Sequence, residues 1–258
     1  MNTYCIGKKE YSLKASCFNE LESNQLIAIC KVLLEQLSFE LSEMKFLFIL
    51  LGINRYSFLK IPIEAKSRMM EDIQWLFDIK GLTQQLIPKF SGLFAPTSEF
   101  DNLTMAEWNA CEIYYHQYIS NNNSTSLDNL VAVLYRMPKK KYDFLKNIDG
   151  DCRVIFNEHE CQWMASAKIA FWPDEVKMAI LAFYDGCRES VIAMYDLFNQ
   201  KEETDSAPGM FEIMRLLSGE RYGNFKEIEQ LNVHIALRDM ECTKKENEAL
   251  EAQLKNNR

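Results

Sequence analysis

The stretch WPDEVKMAILAFYDGCRESVIAMYDLFN, residues 172–199, reads as one long amphipathic helix. Pro173 suits the first helical position, where its missing N–H costs nothing, and Asp174 and Glu175 complement the positive end of the helix. Val176, Ile180, Phe183, Cys187, Met194 and Phe198 form an apolar stripe at helical spacing. Gly186 interrupts that stripe without other breakers beside it, so it predicts close approach of a neighbouring backbone rather than a helix end.

The same period recurs on both sides of this stretch. Leu26, Cys30, Leu33, Leu34 and Leu37 predict a helix beginning near Ser23. Ser42 as N-cap and Gly52 as stop bracket a second, over 43–51. Met69, Ile73 and Leu76 predict a third over 65–77. Thr104 and Glu107 fit a capping box that opens a helix with Trp108, Cys111, Tyr115 and Ile119 on one face. A polar loop at 121–126 leads to a short buried helix over 127–135, and 149–151 read as a turn before a strand or irregular stretch at 153–156. A further helix is expected over 208–219. A last one is capped by Asn224 and Glu227, with Phe225, Ile228, Leu231 and Ile235 inward.

At the start, Thr3–Ile6 and residues 10–13 flank Gly7, Lys8 and Lys9, the pattern of a small hairpin. Nine glycines and six prolines in 258 residues are too few for a sandwich or barrel. The expected fold is therefore mainly α: a multi-helix, bundle-like body with a short N-terminal β-hairpin and a long C-terminal helix. Its expected divisions are a hairpin at 1–16 and a helical body at 17–200. A lobe junction falls at 80–102, with an extended piece near 85–87, and a linker and helical hairpin occupy 201–258.

Hydrophobic residues make up 48% of the chain, enough for a core, and 37 acidic against 29 basic side chains give a charge of −8. That balance argues against nucleic-acid and membrane-surface partners. No apolar run reaches 18 residues, and the first dozen residues lack the order of a signal peptide, so a cytosolic protein is expected. The eight cysteines are scattered and read as free, buried thiols.

The sequence carries no recognisable catalytic, metal or cofactor motif. Cys152, His159 and Cys161 cluster, but zinc wants four ligands in paired clips, and neither clip is present. His116, His159 and His234 offer few bases for a nucleophile, and each reads as a surface or boundary residue. Lys139, Lys140 and Lys141 read as a solvated loop, and Tyr114, Tyr115 and Tyr118 as core and rim packing. Beyond Cys242 the last helix turns polar apart from Leu250 and Leu254, four residues apart. These two are the candidate partner-contact residues.

Several stretches, taken in order, resemble uncharacterised proteins of this length encoded among the virion-structure genes of phages and prophages of Bacteroides-type hosts. They are IGKKEY (6–11), FNEL (18–21), LTQQLIPKFSGLF (82–94), LTMAEWNACEIYY (103–115), LDNLVAVLYR (127–136), PDEVKMAILAFYDGCRES (173–190) and MRLLSGERYGNFKEIEQLNVHIAL (214–237). Phe18 stands where a tryptophan is expected, and Met137 intervenes before Pro138. The resemblance implies a non-enzymatic part in tail or head-to-tail connector assembly, as ring subunit or tail-assembly chaperone. It further implies other phage structural proteins as partners, a homo-oligomer, and a place in the host cytoplasm during assembly or in the virion. A cytosolic enzyme or regulator whose site is assembled from distant residues is the alternative.

Overall fold

The computed structural model describes residues 3–6, 9–140, 142, 150–198 and 225–256. The fold is mainly α. Among the described residues are ten α-helices and two two-stranded antiparallel sheets. The chain forms two compact units, one of residues 1–87 with 171–187, the other of 88–170 with 188–258.

In the first unit, β1 (Thr3–Ile6) pairs with β2 (Lys9–Ser12). Helix α1 (Ser23–Leu34) starts where the Glu22 N–H donates to Gln25 Oε1 at 2.9 Å. Its inward face is Leu26, Ile29 and Cys30, while Leu34 turns outward. Helix α2 (Phe39–Leu51) starts one turn earlier than the sequence suggests. Ser38, not Ser42, is its cap, accepting from the Leu41 N–H, and Ser42 is buried within the helix. Gly52 ends it in the left-handed region, φ 59°, which a side chain would resist.

The helix expected over 65–77 is shorter and starts earlier: α3 (Arg55–Leu59) precedes it, α4 covers Ile63–Glu71, and a 3₁₀ turn at Gln74–Phe77 completes it. Met69, Ile73 and Leu76 are nonetheless all buried. No strand forms at 85–87. Instead Asn19 organises this segment, its Oδ1 accepting from the N–H groups of Thr83 and Gln84 at 2.9 and 3.0 Å. The segment then passes Gly186 on α8 (Asp174–Met194), where a Cβ would meet Leu82 O at 2.4 Å. Only glycine permits that approach.

In the second unit, Ser91 and Gly92, at φ 48° and 82°, join β3 (Lys89–Phe90) to β4 (Leu93–Phe94). Thr104 caps α5 (Met105–Asn121), whose buried face holds Trp108, Cys111 and Tyr114; Ile119 is exposed, so the expected face is rotated at its end. Asn123 caps α6 (Ser124–Leu134), three residues ahead of its expected start. An unanticipated helix, α7 (Glu158–Ala167), follows Asn157.

The last helix is two: α9 (Phe225–Glu229) and α10 (Val233–Asn256). Asn232 makes the break, its Oδ1 accepting from the His234 and Ile235 N–H groups at 2.9 and 3.3 Å. The break also pairs with the chain before α5, through Met105 N–H to Leu231 O and Val233 N–H to Leu103 O, each 2.9 Å. Ile228, Val233, Ala236 and Leu237 point inward while Ile235 is exposed. The helix expected at 208–219 and the Asn224 cap lie outside the described residues.

Candidate functional site

Helix α6 ends at Leu134 because Tyr135 turns extended, at φ −103° and ψ 106°. Such an end leaves carbonyls without intrahelical donors. Two arginines supply them: Arg136 Nη1 donates to Val133 O at 2.7 Å, and Arg153 Nη1 donates to Leu134 O at 2.9 Å. The negative end of the helix favours these cations.

Both guanidiniums then meet one carboxylate. Glu107, in the first turn of α5 and only 1% exposed, accepts from Arg136 Nη2 at 2.6 Å on Oε1 and from Arg153 Nη2 at 3.0 Å on Oε2. Asp151 closes the cluster by accepting from Arg153 Nε and Nη2 at 2.9 and 2.8 Å. Two cations and two carboxylates balance. Burial alone would lower the Arg153 pKa, but Glu107 and Asp151 together hold it above its ordinary value.

Backbone pairing holds the arginines in register. Residues 136–139 run between β4 and 152–154, with Phe94 N–H to Arg136 O, Val154 N–H to Met137 O and Lys139 N–H to Cys152 O all at 2.8 Å. The stretch at 153–156 is thus irregular chain with a bridge between Pro138 and Arg153 rather than a strand.

Beside this cluster lies a cleft of about 140 Å³. Tyr135, Met137, Val154, Ile155, Cys161 and Met164 give it apolar walls. Two charged residues also line it. Arg136 is buried in the ionic cluster, whereas Glu160 is exposed. The cleft is below the ~300 Å³ usual for a drug-sized ligand and has room for one apolar group.

Burial pushes the Cys161 thiol up to about 11, and burial followed by the carboxylate of Asp151 raises that of Cys152. Burial, then Glu107, takes Cys111 well above its ordinary value. A nucleophilic thiol needs the opposite shift.

The residues singled out from the sequence are scattered. His159 is exposed on α7, Cys161 is buried and Cys152 half-buried. Among the described residues no three His, Cys, Asp or Glu side chains stand together as metal ligands. Lys139 donates to the Asp151 carbonyl at 2.7 Å, and Lys141 lies outside the described residues. Tyr114 is buried and donates to Glu158 at 3.2 Å, while Arg188 lies over Tyr115, 5.0 Å from its centroid. His116 lies 3.6 Å from Glu112. His234 is half-buried; its Nδ1 meets Tyr195 Oη at 3.1 Å and its Nε2 donates to Glu99 O at 2.8 Å.

Leu250 and Leu254 belong to α10, but their side chains lie outside what the structure describes. Not all thiols are buried: Cys5, Cys17 and Cys242 are exposed.

The Glu107–Arg136–Arg153–Asp151 cluster escaped sequence reasoning. Its signal was charge inside apolar runs, Arg136 between Tyr135 and Met137, and Arg153 ahead of Val154, Ile155 and Phe156. Comparison with protein-family models, curated proteins and solved structures finds no match to this chain.

Proposed function

We propose that the chain is a non-enzymatic protein of phage virion morphogenesis that works through protein–protein contacts. It would act as a connector or tail subunit, or as a chaperone of tail assembly. The observation that carries an interaction role is the contrast within the second unit. Its polar constellation is turned inward on itself and its neighbouring thiols have raised pKa values, while its apolar cleft is lined in part by exposed Met137 and Ile155. Solvent-facing apolar groups around a small cleft fit a partner's anchor side chain. The phage assignment is supported by the order of the resembling segments alone.

The test is proteomic. A subunit is expected in purified particles of the encoding phage at fixed copy number. A chaperone is expected to be missing from particles but to co-purify from lysates with tail-tube or tape-measure protein. A chain found neither in particles nor with tail proteins in lysates would overturn the reading.

A further inference from the structure

In the first unit, α3 and the start of α4 present Tyr56, Leu59 and Ile63 at 69, 63 and 74% exposure. Arg55 and Lys60 are exposed at the two ends of α3, which carries no carboxylate; on α4 exposed Glu64, Arg68 and Glu71 follow. The positive charge of α3 stands in a chain of net charge −8. Lys60 packs over the Tyr56 ring, its Nζ 4.0 Å from the centroid, which stiffens the patch. Three large exposed apolar side chains with Arg55 and Lys60 near them form one patch, the knob.

The second unit carries a feature of the opposite kind. The cleft between Met137, Ile155 and Met164 is concave and apolar, and its exposed charge is the carboxylate of Glu160. Glu158, in the same helical turn, is also exposed. The nearby Lys139 is turned to the Asp151 carbonyl. A volume of about 140 Å³ is close to the ~150 Å³ cavity that admits benzene, so one Leu or Ile side chain fits.

Resting on the reading of an interaction protein, we propose that copies of this chain associate head to tail. Leu59 or Ile63 of one copy enters the Met137–Ile155–Met164 cleft of another copy, with Lys60 against that copy's Glu160. The two surfaces differ, so the contact is heterologous, and a bound pair still offers one unused knob on one copy and one unused cleft on the other.

Mixing of variants tests this directly on the full-length protein. Leu59→Asp spoils the knob but keeps the cleft; Ile155→Asp spoils the cleft but keeps the knob. Both positions are exposed, so both variants should fold, as circular dichroism will show; Leu59→Ser and Ile155→Ser are milder substitutes. In sedimentation equilibrium the unmodified chain should exceed its 30.2 kDa monomer mass as concentration rises. Each variant alone should associate at least tenfold more weakly, on the order expected for losing an anchor residue. An equimolar mixture should form a dimer of about twice the monomer mass and stop there. Lys60→Glu combined with Glu160→Lys should restore association that either change alone weakens.

An unmodified chain that stays monomeric overturns the proposal, as does folded variants whose mixture stays monomeric, or variants that associate like the parent. A monomer nonetheless found in particles would overturn this contact and leave the proposed function standing.

Discussion

Replacing Glu107 by glutamine should cost about 3 kcal/mol, at the lower end of the ~3–5 kcal/mol typical of breaking a buried ion pair. The lower end applies because Arg153 keeps its two bonds to Asp151, at 2.9 and 2.8 Å. Arg136 keeps the carbonyls of Val133 and Val154, at 2.7 and 2.9 Å. What is lost is charge balance: two cations then face one carboxylate, and the new amide turns N–H donors toward a guanidinium. For a chain of this size ~3 kcal/mol corresponds to a drop of roughly 6–12 °C in Tm. Urea unfolding followed by circular dichroism measures it, and hydrogen exchange of the α6 amides locates it. Replacing Glu107, Arg136 and Arg153 together by apolar residues should not recover this loss, since Asp151 is then left without Arg153 and the carbonyls of Val133 and Leu134 without their donors. A loss below ~1 kcal/mol for Glu107→Gln would refute the reading of the cluster as the pin between α5, α6 and the 150–157 segment.

Gly186→Ala should destabilise the first unit by about 1–3 kcal/mol or more, because its Cβ would sit 2.4 Å from Leu82 O and 2.6 Å from Leu82 N; a neutral effect in urea unfolding would contradict that approach. A thiol reagent at mildly alkaline pH should modify Cys5, Cys17 and Cys242 quickly, Cys152 more slowly, and spare Cys30, Cys111, Cys161 and Cys187 until unfolding; peptide mapping reads this pattern. The backbone N–H and then the hydroxyl of Ser16 lower the Glu20 pKa, so its carbon-detected NMR titration should fall below the ordinary ~4.3. A depressed folded pKa means that this carboxylate's stabilising contribution is present above the unfolded pKa and is lost as pH falls through the folded one; Ser16→Pro should move the midpoint back up.

Helix content was legible because it rests on local pattern. The Gly52 stop and the Thr104 cap need only a few residues each, and both are found. The helix expected over 172–199 with Pro173 first instead covers Asp174–Met194, with a separate 3₁₀ turn at Asp196–Phe198. Gly186 was legible for the same reason: a glycine within an apolar stripe calls for a neighbour, and Leu82 is that neighbour. The misreadings have tertiary causes. Glu107 looked like the second half of a capping box, yet its carboxylate is drawn inward by two arginines that lie 29 and 46 residues away in sequence. The break at Asn232 arises because residues 231–233 pair with the chain before α5, a partner that periodicity cannot reveal. The α7 helix carries only Cys161 and Ala165 as fully buried residues, too few to make a stripe. The cleft walls come from α6, two irregular segments and α7, so no contiguous motif marks them.

The interleaving of the two units bears on how the chain is made. The first unit includes residues 171–187, so at a ribosome its opening 87 residues must wait for at least 84 more before that part begins to emerge. At ~5–20 residues per second this is a delay of about 4–17 s. The second unit waits longer, because its Leu103 and Met105 pair with Val233 and Leu231. Neither unit can therefore be completed in simple order of synthesis. For those seconds the apolar faces of α1 and α2 lack the helix that completes their unit, and they form the part of the nascent chain most in need of protection.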